Sequence, residues 1–116
     1  NGTSLEEVGN LEAILFDLMA NAKINESSRL AAEIQQAMIK YLSPKFSRIK
    51  DLGVRQGPFH VLLGATMPSV LVETAFLSNA REEKRLNSSD YQMKVAQAIV
   101  RGVKDYSATI KQVAQR

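Results

Sequence analysis

The stretch Val70-Leu71-Val72-Glu73-Thr74-Ala75-Phe76 is the most apolar run of the chain, and its reading decides the fold. It is rich in β-branched residues, and its apolar residues do not alternate with polar ones. Short runs of this kind, bounded by turn residues, suit strands covered on both faces. A second apolar run, Phe59 to Leu63, lies just upstream, and Gly64-Ala65-Thr66-Met67-Pro68 separates the two. Such a link either closes a hairpin or leaves each strand to pair with others. Two doubly covered strands make a poor sheet alone, so a larger sheet is expected around them.

Helical patterns flank this pair. Leu11, Ile14, Leu15 and Leu18 fall at helical spacing behind Asn10, a candidate N-cap. Leu30, Ile34, Met38 and Tyr41 repeat the pattern. The polar segment between them holds no Gly or Pro. One helix over 11–42, or two with a break near Asn25, are both compatible with it. Pro44 ends the pattern, because proline disfavours helical geometry in the residue before it. Residues 1–10 are polar and read as a loop, as do residues 45–58 with Gly53, Gly57 and Pro58. Asn79 with Glu82 and Ser89 with Gln92 have capping-box spacing. They predict a short helix through Leu86 and a long final helix. The final helix carries Tyr91, Val95, Ala98, Ile99, Gly102, Val103, Tyr106 and Ile110 on one stripe. The expected class is therefore α/β, in the order α, β, β, short α, long C-terminal α, as part of a mostly parallel central sheet flanked by helices.

The chain has 116 residues, 45% hydrophobic and 23% charged, which suits one domain. Its net charge of +3 is spread along the sequence without a run of like charge. That argues against a nucleic-acid-binding tail. The mild positive balance either favours docking on an anionic polymer such as a cell wall or has no functional meaning. The absence of cysteine removes disulfides, a thiol nucleophile and thiolate metal ligands. No stretch reads as a signal peptide or a membrane span. The chain opens at Asn1 without an initiator Met and reads as an excised or processed piece.

Glu73 is the residue with the most chemical promise. A carboxylate inside so apolar a run is expected to be desolvated, which disfavours its charged form and raises its pKa. A carboxyl tuned in that direction suits a general base near neutral pH. The competing reading is an edge Glu that reaches solvent or pairs with a Lys or Arg. His60 is the only histidine. One His without Cys falls short of the three protein ligands usual for catalytic zinc, and it reads as structural. Ser27, Ser28, Ser78 and Ser89 lack the glycine context of a nucleophile elbow. Gly53 and Gly57 do not form a phosphate-cradling loop.

The stretches Gly53-Val54-Arg55-Gln56-Gly57-Pro58-Phe59-His60-Val61-Leu62 and Met67-Pro68-Ser69-Val70-Leu71-Val72-Glu73-Thr74-Ala75-Phe76-Leu77-Ser78-Asn79 resemble the signature of one family. Glu82-Glu83, Leu86 and Tyr91 follow at the expected offsets. The family is the zinc-dependent N-acetylmuramoyl-L-alanine amidases, which include bacterial cell-separation enzymes. Leu11 to Leu18 and Glu26 to Ala31 resemble the versions from Gram-negative bacteria. The resemblance implies a C-terminal portion, residues 1–116, of a single amidase catalytic domain. It implies an α/β fold and hydrolysis of the amide between N-acetylmuramic acid and L-alanine of the peptidoglycan stem peptide. It further implies Zn2+ as cofactor and Glu73 as the carboxyl that takes the proton of the attacking water and passes it to the leaving amine. The family's metal ligands are two His and one Glu, all expected upstream of this chain. No metal-ligating residue is therefore expected among the 116, and His60 stands where the family often has Tyr. A periplasmic or cell-envelope location follows from the resemblance, as does an activator protein in some members. In those members an autoinhibitory helix precedes the region of Leu11 to Leu18, and residues 1–10 fall where its tail would lie. A fragment without the zinc half is expected to be inactive. The alternative is a non-catalytic fragment that binds cell wall or activator. A helical interaction protein is a third reading, opposed by the two apolar runs.

Overall fold

In a computed structural model that describes residues 4–115, the chain is built from three α-helices and one short 3-10 turn. Helix α1 spans Leu5–Leu42, α2 spans Ala80–Leu86 and α3 spans Ser89–Ala114. The 3-10 turn covers His60–Leu62.

Helix α1 is a single unbroken helix of 38 residues. Nothing in its polar middle breaks it, since Asn21 to Ser28 lacks Gly and Pro. It starts earlier than the apolar pattern suggests. Ser4, not Asn10, is the N-cap: its hydroxyl accepts from the Glu7 amide, and the Glu7 carboxylate accepts from the Ser4 amide. That reciprocal pair satisfies donors that would otherwise be orphaned at the helix start. The loop expected over residues 1–10 is thus helical from Leu5 onward, and residues 1–3 lie outside the described part. Helix α1 ends at Leu42, with Ser43 as C-cap, immediately before Pro44.

Asn79 caps α2, accepting from the amides of Arg81 and Glu82. The cap of α3 is Ser88, one residue before the Ser89 expected from spacing, and it accepts from the Tyr91 amide. The core lies between the C-terminal half of α1 and α3. Ile34, Met38 and Leu42 from α1 meet Tyr91, Val95 and Ala98 from α3. The stripe predicted on α3 is the buried face at Tyr91, Val95, Ala98, Gly102 and Tyr106. Val103 and Ile110, at its margin, are exposed. The Tyr106 hydroxyl donates to Glu26 at 2.6 Å and ties the two helices at the far end of this core.

The N-terminal half of α1 has no such partner. A helix of this length spans about 57 Å, and residues 4–22 are exposed throughout. Leu11, Ile14, Leu15 and Leu18 each expose half or more of their surface. Among the described residues no helix is long and apolar enough to cross a membrane.

The α/β expectation is overturned. The described residues contain no strand and no sheet. Phe59 to Leu63 holds the 3-10 turn His60–Leu62 between extended caps, with the Leu62 amide donating to the Phe59 carbonyl and the Leu63 amide to that of His60. Val70 to Phe76 is irregular chain without a backbone ladder. Strand preference reflects packing against neighbouring strands more than an intrinsic backbone bias. No neighbouring strand exists among the described residues, and apolarity alone did not impose one. A trace of the strand period survives. Val70, Val72 and Thr74 are half-buried, while Leu71 and Glu73 face solvent.

Candidate active-site segment

Glu73 sits midway along this irregular segment. Three contacts hold the segment against the helices. The Ser69 amide donates to the Ser27 hydroxyl of α1 at 3.0 Å. The Val72 side chain packs on the core. The Tyr91 hydroxyl of α3 donates to the Thr74 carbonyl at 3.0 Å. Glu73 therefore lies between two anchors, with its carboxyl exposed. This corrects the expectation of desolvation. Its neighbours Val72 and Thr74 are half-buried against the helices and leave Glu73 on the outer side.

Tyr91 is the pivot of the arrangement. Its ring meets Phe46 edge-on, with centroids 5.1 Å apart. Burial raises its pKa above the ordinary tyrosine value; Arg85 opposes that shift and Glu82 adds to it. A phenol kept in its protonated form is a dependable donor to the Thr74 carbonyl. Phe46 is covered in turn by the Arg85 guanidinium, 5.9 Å from its ring centre. Arg85 also donates to the backbone carbonyl of Ser47. These contacts join the loop after α1, the start of α3 and the Glu73 segment.

Two serines in Glu26-Ser27-Ser28-Arg29 act as tethers rather than nucleophiles. Ser27 holds Ser69, and Ser28 accepts from the Gln56 side chain at 3.3 Å. Sequence reading missed this role. The signal was adjacent hydroxyls on a helix whose next turn enters the core. His60 opens the 3-10 turn and is exposed. Among the described residues, no three His, Cys, Asp or Glu side chains come together in a way that could hold a metal ion. The chain holds a single His, short of the two His and one Glu of the family's zinc site. These residues do not fit the zinc that the resemblance implies.

The sequence profile of a family described as N-acetylmuramoyl-L-alanine amidase matches residues 8–105. The match takes in nearly all of α1, the Glu73 segment and most of α3. The chain belongs to the N-acetylmuramoyl-L-alanine amidase family. Among curated relatives, it is similar to the N-acetylmuramoyl-L-alanine amidase AmiA of Escherichia coli, at 35% identity over 83% of this chain and 32% of that protein. It is similar to AmiC of Neisseria meningitidis at 34% identity, over 86% of this chain and 23% of that protein. It is 41% identical to LytC of Bacillus subtilis, over 69% of this chain and 15% of that protein. The chain thus spans less than a third of each of these relatives. No solved structure matches it.

Proposed function

We propose that this chain is the carboxylate-bearing C-terminal portion of a peptidoglycan amidase, with Glu73 as its proton-transfer residue. The observation that carries the reading is the family match across residues 8–105, which includes Glu73. The fold supplies a physical reason for the choice of residue. Glu73 is exposed, yet the segment bearing it is pinned on one side by Ser27 and on the other by Tyr91. A general base needs both access to a proton and a fixed position. In the amide hydrolysis between N-acetylmuramic acid and L-alanine, Glu73 takes a proton from the attacking water and returns it to the leaving amine. The substrate is peptidoglycan, and the setting is the periplasm or cell envelope, during cell separation. An activator protein is a further partner.

The metal of such an enzyme would be held by side chains outside these 116 residues, since the described ones offer no ligand cluster. The fragment by itself is expected to be inactive. That same lack of ligands favours the second reading, a fragment that binds wall or activator without cutting. Zinc content separates the two: about one zinc per chain in purified protein supports the enzyme for that sample, and none leaves it with the longer protein.

The deciding experiment is Glu73→Gln in the longer amidase that contains these residues. General acid–base catalysis contributes about 100- to 10,000-fold, so cleavage of purified peptidoglycan should fall by that order while zinc content stays unchanged. Near-normal turnover would remove Glu73 from the mechanism.

A further inference from the structure

A cavity of about 210 Å³ opens between the end of α1 and the middle of α3, lined by Tyr41, Lys45, Lys94, Gln97, Ala98 and Arg101. It shares none of its lining with the segment around Glu73. Three of the six residues are cations and none is an acid. Lys94, Gln97, Ala98 and Arg101 are spaced so that they stand on one face of α3. Lys45 reaches the cavity from the loop beyond Pro44, and Ala98, 1% exposed, forms its floor.

The cations crowd one another. Hydrogen bonding with Lys94, then repulsion from its charge, holds Lys45 below the ordinary lysine range, and Asp90 opposes this only in part. Arg101 stands over the Tyr41 ring at 5.7 Å, and Lys40 approaches the same ring at 5.6 Å. The one ion pair at the margin, Arg101 with Asp105 at 3.8 Å, is solvent-exposed and weak. Like charges gathered in a concave site repel one another, and an anion placed between them removes that repulsion while gaining charge-assisted hydrogen bonds. Gln97 adds an amide, and Tyr41 adds a hydroxyl and a ring edge.

We propose that this cavity is an oxyanion-binding site, in which Lys45, Lys94 and Arg101 bracket a phosphate or carboxylate group of an anionic polymer. A wall polymer as the source rests on the proposed amidase reading; the anion site itself does not. Phosphodiester glycopolymers and stem-peptide carboxylates both supply the required group.

The test is a titration of the 116-residue chain with inorganic phosphate at low ionic strength, followed by amide chemical shifts. Saturable shifts confined to residues around Tyr41, Lys45, Lys94, Gln97 and Arg101 are expected. Lys45→Gln and Lys94→Gln should each weaken binding about tenfold, in line with losing one charged hydrogen bond. Lys84→Gln, on α2, removes the same charge elsewhere and should leave binding unchanged. Non-saturating shifts spread over all surface lysines would overturn the site. So would equal losses from Lys45→Gln and Lys84→Gln. Co-sedimentation with purified peptidoglycan, before and after removal of its phosphate polymer, then separates the two sources. Binding lost on removal identifies the phosphodiester, and binding kept identifies the carboxylates. Failure to sediment in both cases, with phosphate binding intact, would reject the wall polymer and with it the docking role. Residual cleavage by the longer enzyme, measured separately with Glu73→Gln, keeps that result distinct from the amidase reading.

Discussion

Gly102 offers the sharpest test of how α1 and α3 meet. A methyl group added at Gly102 would stand 2.5 Å from the Ile34 Cα, 2.9 Å from the Ile34 nitrogen and 3.0 Å from the Glu33 carbonyl oxygen. All three atoms are backbone, so no side-chain rotation relieves the clash. Restoring ordinary contact requires the helices to part by about 1 Å. A gap of that size forfeits roughly a quarter to a half of the dispersion attraction across it. Overpacking of this kind costs about 1–3 kcal/mol. Alanine returns about 1 kcal/mol through its higher helix propensity. Gly102→Ala should therefore destabilise the chain by up to about 2 kcal/mol net. Gly9→Ala is the matched control. Gly9 is likewise helical, within α1, and a methyl there meets nothing within 4 Å. It should stabilise the helix, by no more than about 1 kcal/mol. Urea unfolding followed by circular dichroism gives both values. If Gly102→Ala stabilised the chain as Gly9→Ala does, the close crossing at Ile34 would be wrong.

Further outcomes follow from the same contacts. Tyr91→Phe keeps the ring packed on Phe46 but removes the donor to the Thr74 carbonyl, and should cost about 0.5–1.5 kcal/mol. In the longer enzyme it should also slow cleavage by displacing Glu73; unchanged cleavage there, with an unchanged urea midpoint for the isolated chain, would refute the anchoring role. Tyr106 has its pKa raised chiefly by its hydrogen bond to Glu26, then by burial and the Glu26 charge, against Arg29. The folded state thus holds this proton more tightly than the unfolded one. The resulting stability is present below the ordinary tyrosine value near 10 and is lost as pH rises through the raised folded value. Tyr91 acts with the same sign, whereas Lys45, being lowered, acts with the opposite one. The comparison is therefore wild type against Tyr106→Phe between pH 8 and 11, approximate limits set by the tyrosine range, and parallel curves would count against it. The exposed apolar arm of α1 predicts concentration-dependent association of the isolated chain. Sedimentation should show it, and Leu11→Ser with Leu15→Ser should reduce it; a strictly monomeric wild type would contradict the exposure.

Helices were legible because their signals are local. The stripe through Tyr91, Val95, Ala98, Gly102 and Tyr106 repeats at helical spacing whatever lies around it, and Asn79 caps its own helix. Ser4 escaped notice because polar residues 1–10 resemble a loop until the Glu7 reciprocity is seen. Val70 to Phe76 could not be resolved by pattern, since apolar runs of this length do not distinguish a strand from another buried segment. The position of Glu73 was readable from the family motif, but its exposure was not. Exposure depends on Ser27 and Tyr91, which approach from opposite sides in sequence. The cation cavity was hidden for the same reason. Lys45 and Lys94 are far apart in the chain, and only the α1–α3 crossing brings them together.

Apolar surface is distributed unevenly over the chain. In the core between α1 and α3, among the described residues, no buried side-chain polar atom lacks a partner. Yet Leu11, Leu15, Phe16 and Met19 on the arm are more than half exposed, as are Val61, Leu63, Phe76 and Leu77 around the Glu73 segment. Phe76 and Leu77 follow closely on Glu73, the one carboxylate that the family reading selects. Apolar area is left in water along the arm of α1, next to Glu73 and on the outer face of α3, where Met93, Val100 and Val113 are exposed. A carboxylate set in an apolar surface gains its chemical leverage only when that surface is covered and water is excluded. On this reading the 116 residues supply the proton carrier and its supports, while the dry surroundings that tune it come from the remainder of the amidase.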